Sequence, residues 1–114
     1  MTECLFCKIV ERTIPAALVY EDELVVAFDD INPQAQTHTL VIPRRHVTSV
    51  ADLQDSDVGL LGHLMLAGNK IAKIKGVADT GYRFVINTGV HGGQSVFHLH
   101  LHVLGGRHMA WPPG

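Results

Sequence analysis

The sequence predicts an α+β domain with a largely antiparallel sheet. Three observations carry that expectation. Short runs of strand character lie at residues 18–21, 24–29, 38–42, 82–87 and 97–104. One long helical pattern covers residues 55–75. The strands also follow one another without the regular strand–helix alternation that a parallel sheet needs. At 114 residues the chain forms one domain, residues 1–114, around a single expected core.

Residues 6–11 read as a short helix that stops before Pro15. The first two strands flank an acidic turn, Asp22-Glu23, and Asp30-Ile31-Asn32-Pro33-Gln34 has the composition of a loop. The third strand closes at Pro43. The long helix starts with Asp55, Ser56 and Asp57 and ends with Lys70, Lys73 and Lys75, with Gly76 just beyond; both ends suit the helix dipole or the cap. Val58, Leu61, Leu64, Met65, Ile71 and Ala72 fall on a stripe that should cover a sheet. The last two strands enclose a loop containing Gly92-Gly93-Gln94-Ser95.

A net charge of −2 leaves no basic footprint for a nucleic-acid polymer, although a small anion held by local donors remains possible. No 18-residue apolar run marks a membrane span, and Met1-Thr2-Glu3-Cys4 leads into structured sequence without a signal peptide. The expected compartment is cytoplasmic, where the two cysteines stay reduced.

The compositional oddity is eight histidines, three of them in His98-Leu99-His100-Leu101-His102. On a strand, residues two apart point the same way, so the three rings share a face and Leu99, Leu101 and Val103 take the other. Neighbouring rings stand roughly 6.5 Å apart and the outer pair about 13 Å. One tetrahedral metal reaches two such rings but hardly three, which leaves at least one histidine for other work. A solvated histidine face is the plain alternative.

The glycine loop frees the backbone to approach a ligand, lets successive N–H groups converge on an anion, and adds the Ser95 hydroxyl. By itself such a loop is more often a hairpin turn; next to the histidines the balance reverses. Phe28-Asp29-Asp30-Ile31 pairs apolar side chains with carboxylates at a strand end, which suits ribose hydroxyls but also describes a solvated turn. Cys4 and Cys7 have zinc-ligand spacing, yet no second cysteine pair completes a tetrahedron. His46 and one strand histidine are the candidates to do so; two thiols packed as small apolar groups are the alternative. His63 and His108 read as structural or surface residues, and His91 borders the glycine loop.

Taken in order, these residues resemble the histidine triad (HIT) superfamily, and within it the Hint branch of nucleotide-binding proteins. The resemblance runs through Ile14-Pro15-Ala16, the stretch from Phe28 to Ala35, Thr37-His38, Leu40-Val41-Ile42-Pro43, Gly92 to Val96, and His98 to His102. It ends with Leu104-Gly105-Gly106-Arg107 and Trp111-Pro112-Pro113-Gly114. The resemblance implies a HIT fold: a five-stranded antiparallel sheet, one long and one short helix, and a homodimer that joins two sheets into one of ten strands. The long helix would then lie at the interface, and the Trp111 segment would reach the partner's active site.

The same resemblance implies purine nucleoside phosphoramidase activity: hydrolysis of the P–N bond in adenosine or guanosine 5′-monophosphoramidates, and hydrolysis of aminoacyl adenylates, through a nucleotidyl-histidine. In that pattern His100 is the nucleophile, His102 meets the phosphate and leaving group, His38 orients the cluster, and His98 and Ser95 complete the catalytic set. Ser95 and Asn87 match groups that hold phosphate or the departing group, with Gly93 and Gln94 beside them, and Asp30 matches the ribose carboxylate. Leu5, Phe6, Ile9, Phe28 and Ile31 match the apolar base slot. Cys4, Cys7, His46 and His98 match a structural zinc set that other HIT branches carry and many Hint proteins lack. The expected partner is a purine mononucleotide or nucleoside phosphoramidate, with no nucleic-acid polymer and no membrane. The alternatives are a dinucleoside polyphosphate hydrolase, a nucleotidyltransferase, a zinc hydrolase, or a purine-nucleotide-binding scaffold without turnover. The Trp111-Pro112-Pro113-Gly114 ending favours the Hint branch.

Overall fold

The computed structural model describes residues 3–114. Met1 and Thr2, expected above to lead into structured sequence, lie outside the described residues. In chain order the elements are helix α1 (Leu5–Val10), strands β1 (Leu18–Glu21), β2 (Val25–Asp29) and β3 (Thr37–Pro43), helix α2 (Val58–Ile74), and strands β4 (Tyr82–Val85) and β5 (Leu101–Gly105). The five strands make one antiparallel sheet in the order β1-β2-β3-β5-β4. The α+β fold with one long and one short helix is as the sequence predicts.

The expected single core is two, one on each side of the sheet. Alternation along β2 sends Val25 and Ala27 to one face and Val26 and Phe28 to the other. The first pair joins Val41, Leu99, Leu101 and Val103 against Leu64, Ala67 and Ile71 of α2. The second joins Leu40 and Ile42 against Phe6 and Ile9 of α1. Covering both faces explains why β2 and β3 read as nearly continuous apolar runs. Each fully buried Leu or Ile on α2 contributes about 1.5–3 kcal/mol to holding the layers together. No helix among the described residues is long and apolar enough to cross a membrane.

Helix α2 begins later than its composition implies. Asp55–Asp57 forms a 3-10 turn in which the Asp57 carboxylate accepts the Gln54 N–H, and the α-helix starts at Val58. At the other end Gly76 takes φ +76°, and Val77 and Gly76 donate to the carbonyls of Ala72 and Lys73. That pairing satisfies the last carbonyls and stops the helix.

The largest departure is at β5, whose ladder begins at Leu101 and not at Phe97. The His98 carbonyl accepts a hydrogen bond from the His100 ring, and the Leu99 N–H donates to Val47 O at 2.6 Å. Both groups are thereby withdrawn from a ladder. Two of the three histidines therefore sit on an irregular lead-in, and only His102 lies on the paired strand.

Candidate functional site

His100 is buried in the lead-in to β5, where its ring and that of Phe6 meet nearly perpendicular at 5.1 Å between centroids. Its Nδ1–H donates to the His98 carbonyl at 2.8 Å. A neutral ring that donates from Nδ1 carries its lone pair on Nε2. Burial lowers the His100 pKa, opposed by the hydrogen bond to His98 and the charge of Asp30. The ring is therefore neutral at pH 7 and its Nε2 is a ready nucleophile.

His102 and His38 form a second device across neighbouring strands. The Gln34 N–H donates to His38 Nδ1 at 3.0 Å, which makes that nitrogen an acceptor. His38 Nε2 therefore carries the hydrogen and donates to His102 Nδ1, 2.9 Å away. By the same logic His102 bears its hydrogen on Nε2. Among the described residues, that atom is the buried side-chain polar group left without a partner. An orphaned donor on a cleft wall is a site awaiting an acceptor. Burial, with His100 and His38 nearby, lowers the His102 pKa to about 4, while Asp30 opposes the shift. Burial also lowers that of His38, against Asp30, whose Oδ2 lies 3.5 Å from His38 Nε2.

The His100 and His102 rings open on a cleft of about 330 Å³, and His38 stands behind His102 outside the lining of that cleft. Leu5, Phe6, Ile9, Phe28, Asp30, Ile31, Ser95, His100 and His102 all line it. Asp30 is fixed at the end of β2 by its N–H to His38 O and by an Oδ1 that accepts the Asn32 N–H. Ile14, Pro15, Ala16, Ala17, Leu40 and Val96 complete the wall. The sequence reading did not assign these to the site. Ile14-Pro15-Ala16 was legible as a motif, whereas Leu40 becomes recognisable only once its pairing with His102 is known.

Three expected contacts lie outside the lining. Gly93 and Gln94 donate their N–H groups within the turn, to Val90 O and Gly89 O. The Gln94 side chain braces the loop, accepting from Gly89 N–H and donating to the carbonyls of Thr48 and Val96. Ser95 is the member of this loop motif that reaches the cleft. Asn87 lies two residues beyond Val85, which pairs with His102, and is absent from the lining.

Apart from the cleft, Cys4, Cys7, His46 and His98 bring four donor atoms within 4.8 Å of one another. His98 Nδ1 lies 3.4 Å from Cys4 Sγ, 3.6 Å from Cys7 Sγ and 3.2 Å from His46 Nδ1, and Cys7 Sγ is 3.3 Å from His46 Nδ1. The edges of a tetrahedron with zinc-type bonds are roughly 3.3–3.8 Å, so the residues fit such an ion. The His98 Nε2–H donates to Pro43 O at 2.9 Å, which turns Nδ1 toward the cluster as a metal-binding imidazole requires. A backbone carbonyl leaves no sequence signal, so this support was invisible beforehand. His63 pairs with Asp22 at 2.8 Å between α2 and the β1–β2 turn, a structural role as expected.

The family model described as "Scavenger mRNA decapping enzyme C-term binding" matches residues 3–111. A HIT-like protein of Synechocystis sp. is 50% identical over 112 residues, covering 98% of this chain and 97% of that protein. A crystal structure of a HIT family hydrolase from Legionella pneumophila is 49% identical with a TM-score of 0.96, covering 98% of this chain and all of that one. A HIT family hydrolase from Clostridium thermocellum is 45% identical, with a TM-score of 0.93 and 96% coverage of both chains. The chain therefore belongs to the histidine triad superfamily, as a HIT hydrolase-like protein.

Proposed function

We propose that the protein is a purine nucleoside phosphoramidase that hydrolyses the P–N bond of nucleoside 5′-monophosphoramidates and also the acyl–phosphate P–O bond of aminoacyl adenylates, from which a carboxylate leaves. The observation that carries this reading is the paired tautomers: a lone pair on His100 Nε2 beside an orphaned donor on His102 Nε2, both on one cleft. The base lies in the slot of Leu5, Phe6, Ile9, Phe28 and Ile31, and the ribose hydroxyls meet Asp30. Ser95 and His102 donate to the phosphoryl oxygens, where stabilising developing charge is the largest electrostatic contribution.

His100 Nε2 attacks the α-phosphorus, an N–P bond forms, and the bond to the amine breaks. The amine takes up one proton as it leaves. Water then attacks the nucleotidyl-histidine, freeing the ring and returning one proton, so the cycle balances. Positive charge on the nucleotidylated ring is shared with the His98 carbonyl through the Nδ1–H bond.

The same reading places zinc at Cys4, Cys7, His46 and His98. When bound, the ion would cross-link the N-terminal segment to the sheet, and no chemical step passes through it. The proposed protein is also a homodimer that pairs two copies of the chain through α2 and the edge strand β4, a reading supported by the exposure of Val58, Met65, Leu66 and Tyr82.

The test is turnover of a fluorogenic adenosine phosphoramidate beside a diadenosine polyphosphate, with mass-spectrometric trapping of the intermediate. A nucleotide adduct on His100 and preference for the phosphoramidate are expected. Binding without turnover supports a nucleotide-binding scaffold instead, and preference for the dinucleotide moves the protein to the polyphosphate hydrolases.

A further inference from the structure

The Cys/His cluster and the base slot share one short element. Cys4 caps α1 by accepting the Cys7 N–H on its sulfur at 3.4 Å, and both cysteines belong to the four-donor set. Leu5, Phe6 and Ile9 of the same helix form a wall of the cleft. A six-residue helix has no stability of its own in water, so its position depends on what its side chains meet. On one side these are Val26, Phe28, Leu40 and Ile42, packed on Phe6 and Ile9. At its N-terminus they are His46, from the segment after β3, and His98, before β5.

We infer that occupancy of this cluster by a zinc-class divalent ion sets nucleotide affinity, because the ion fixes α1 as the wall on which the base packs. This rests on the nucleotide reading of the cleft. Cys4, Cys7 and His46 are then positioning residues: none of them lines the cleft. Loss of the ion frees α1 from His46 and His98 while the strand ladder of the sheet, which does not involve these side chains, persists. Coupling between sites is reciprocal, so a nucleotide that binds better to the loaded form must tighten the ion by the same factor.

The experiment uses the full chain in zinc-loaded, chelator-stripped and reloaded forms, with AMP as the probe. Calorimetry should show AMP binding weakened by about fivefold or more on stripping, the lower range of coupling between sites, and recovered on reloading. Competition with a chromophoric chelator should show zinc held tighter by the same factor at saturating AMP. Amide exchange should quicken over residues 4–12 and stay slow in β2, β3 and β5. His46→Ala should behave as the stripped protein, and His46→Cys, which keeps a zinc ligand, should retain loaded behaviour. Equal AMP affinity in loaded and stripped forms overturns the inference and leaves the nucleotide reading standing. Failure to bind zinc, or loss of protection throughout the sheet on stripping, also overturns it. Absence of AMP binding in every form removes both.

Discussion

His38 Nε2 lies 2.9 Å from His102 Nδ1, and that one hydrogen bond determines which nitrogen of His102 faces the cleft with a hydrogen on it. The Gln34 N–H sets the direction from behind by occupying His38 Nδ1. A backbone amide thus orients two rings in series without touching the substrate site itself.

Replacing His38 by alanine removes this control. His102 is then free to place its hydrogen on either nitrogen, and the donor toward the phosphoryl group is lost for part of the population. Turnover of an adenosine phosphoramidate should fall by about 10²-fold or more, as when a catalytic imidazole loses its tautomer partner, with little change in KM. A rate equal to wild type would show that the His38–His102 bond orients nothing.

His100→Ala removes the only lone-pair nitrogen proposed to attack phosphorus. The rate constant kcat should drop by about 10³-fold or more. AMP affinity should change little, since the slot and Asp30 remain. Persistence of a trapped nucleotide adduct in this variant would place the nucleophile elsewhere.

His102 also gives stability a pH dependence. Its folded pKa of about 4 lies below the ordinary imidazole value near 6.5, so between those values the unfolded chain binds more protons. Stability is therefore full above about pH 6.5 and is lost as the pH falls toward 4. Burial is the main cause, aided by His100 and His38 and opposed by Asp30. Urea midpoints should decline between pH 7 and pH 4.5 in the native protein, and less steeply in His102→Asn. Parallel declines in the two proteins would assign the effect to other groups.

Gly105 tests the packing that ends β5. A Cβ there would stand 2.9 Å from Cβ and Cγ2 of Val77, a stiff β-branched side chain with no rotamer to yield into. Gly105→Ala should cost about 1–3 kcal/mol, read as a lower urea midpoint at unchanged slope. No loss of stability would mean that the segment after α2 shifts freely.

The strand and helix positions were legible because hydrophobic pattern and punctuation act locally: the apolar run of β2, the alternation in β5, the Lys-rich end of α2 and Gly76 are all visible in the chain. Boundaries were less so. Asp22, whose side chain accepts the Leu24 and Val25 N–H groups, delays β2 to Val25, and the His98 carbonyl delays β5 to Leu101. In the site, the resemblance sets Gln94 beside the phosphate-holding groups; its side-chain amide also binds the backbone of Gly89, Thr48 and Val96, and only its tertiary neighbours reveal that bracing.

By itself the sequence placed three histidines at alternate positions of residues 98–102 and led to the expectation that they divide their duties. The ideal strand spacing behind that expectation does not hold, since the paired strand begins only at Leu101 and the His100 and His102 rings stand 4.9 Å apart. The sequence also supplied the cysteine pair and five of the apolar residues that line the cleft, Leu5, Phe6, Ile9, Phe28 and Ile31. Only the tertiary structure decided which histidine does what. A ring's chemistry depends on which nitrogen keeps its lone pair, and that is fixed by the Gln34 amide and the carbonyls of His98 and Pro43, which folding brings beside the rings and which carry no side-chain signature.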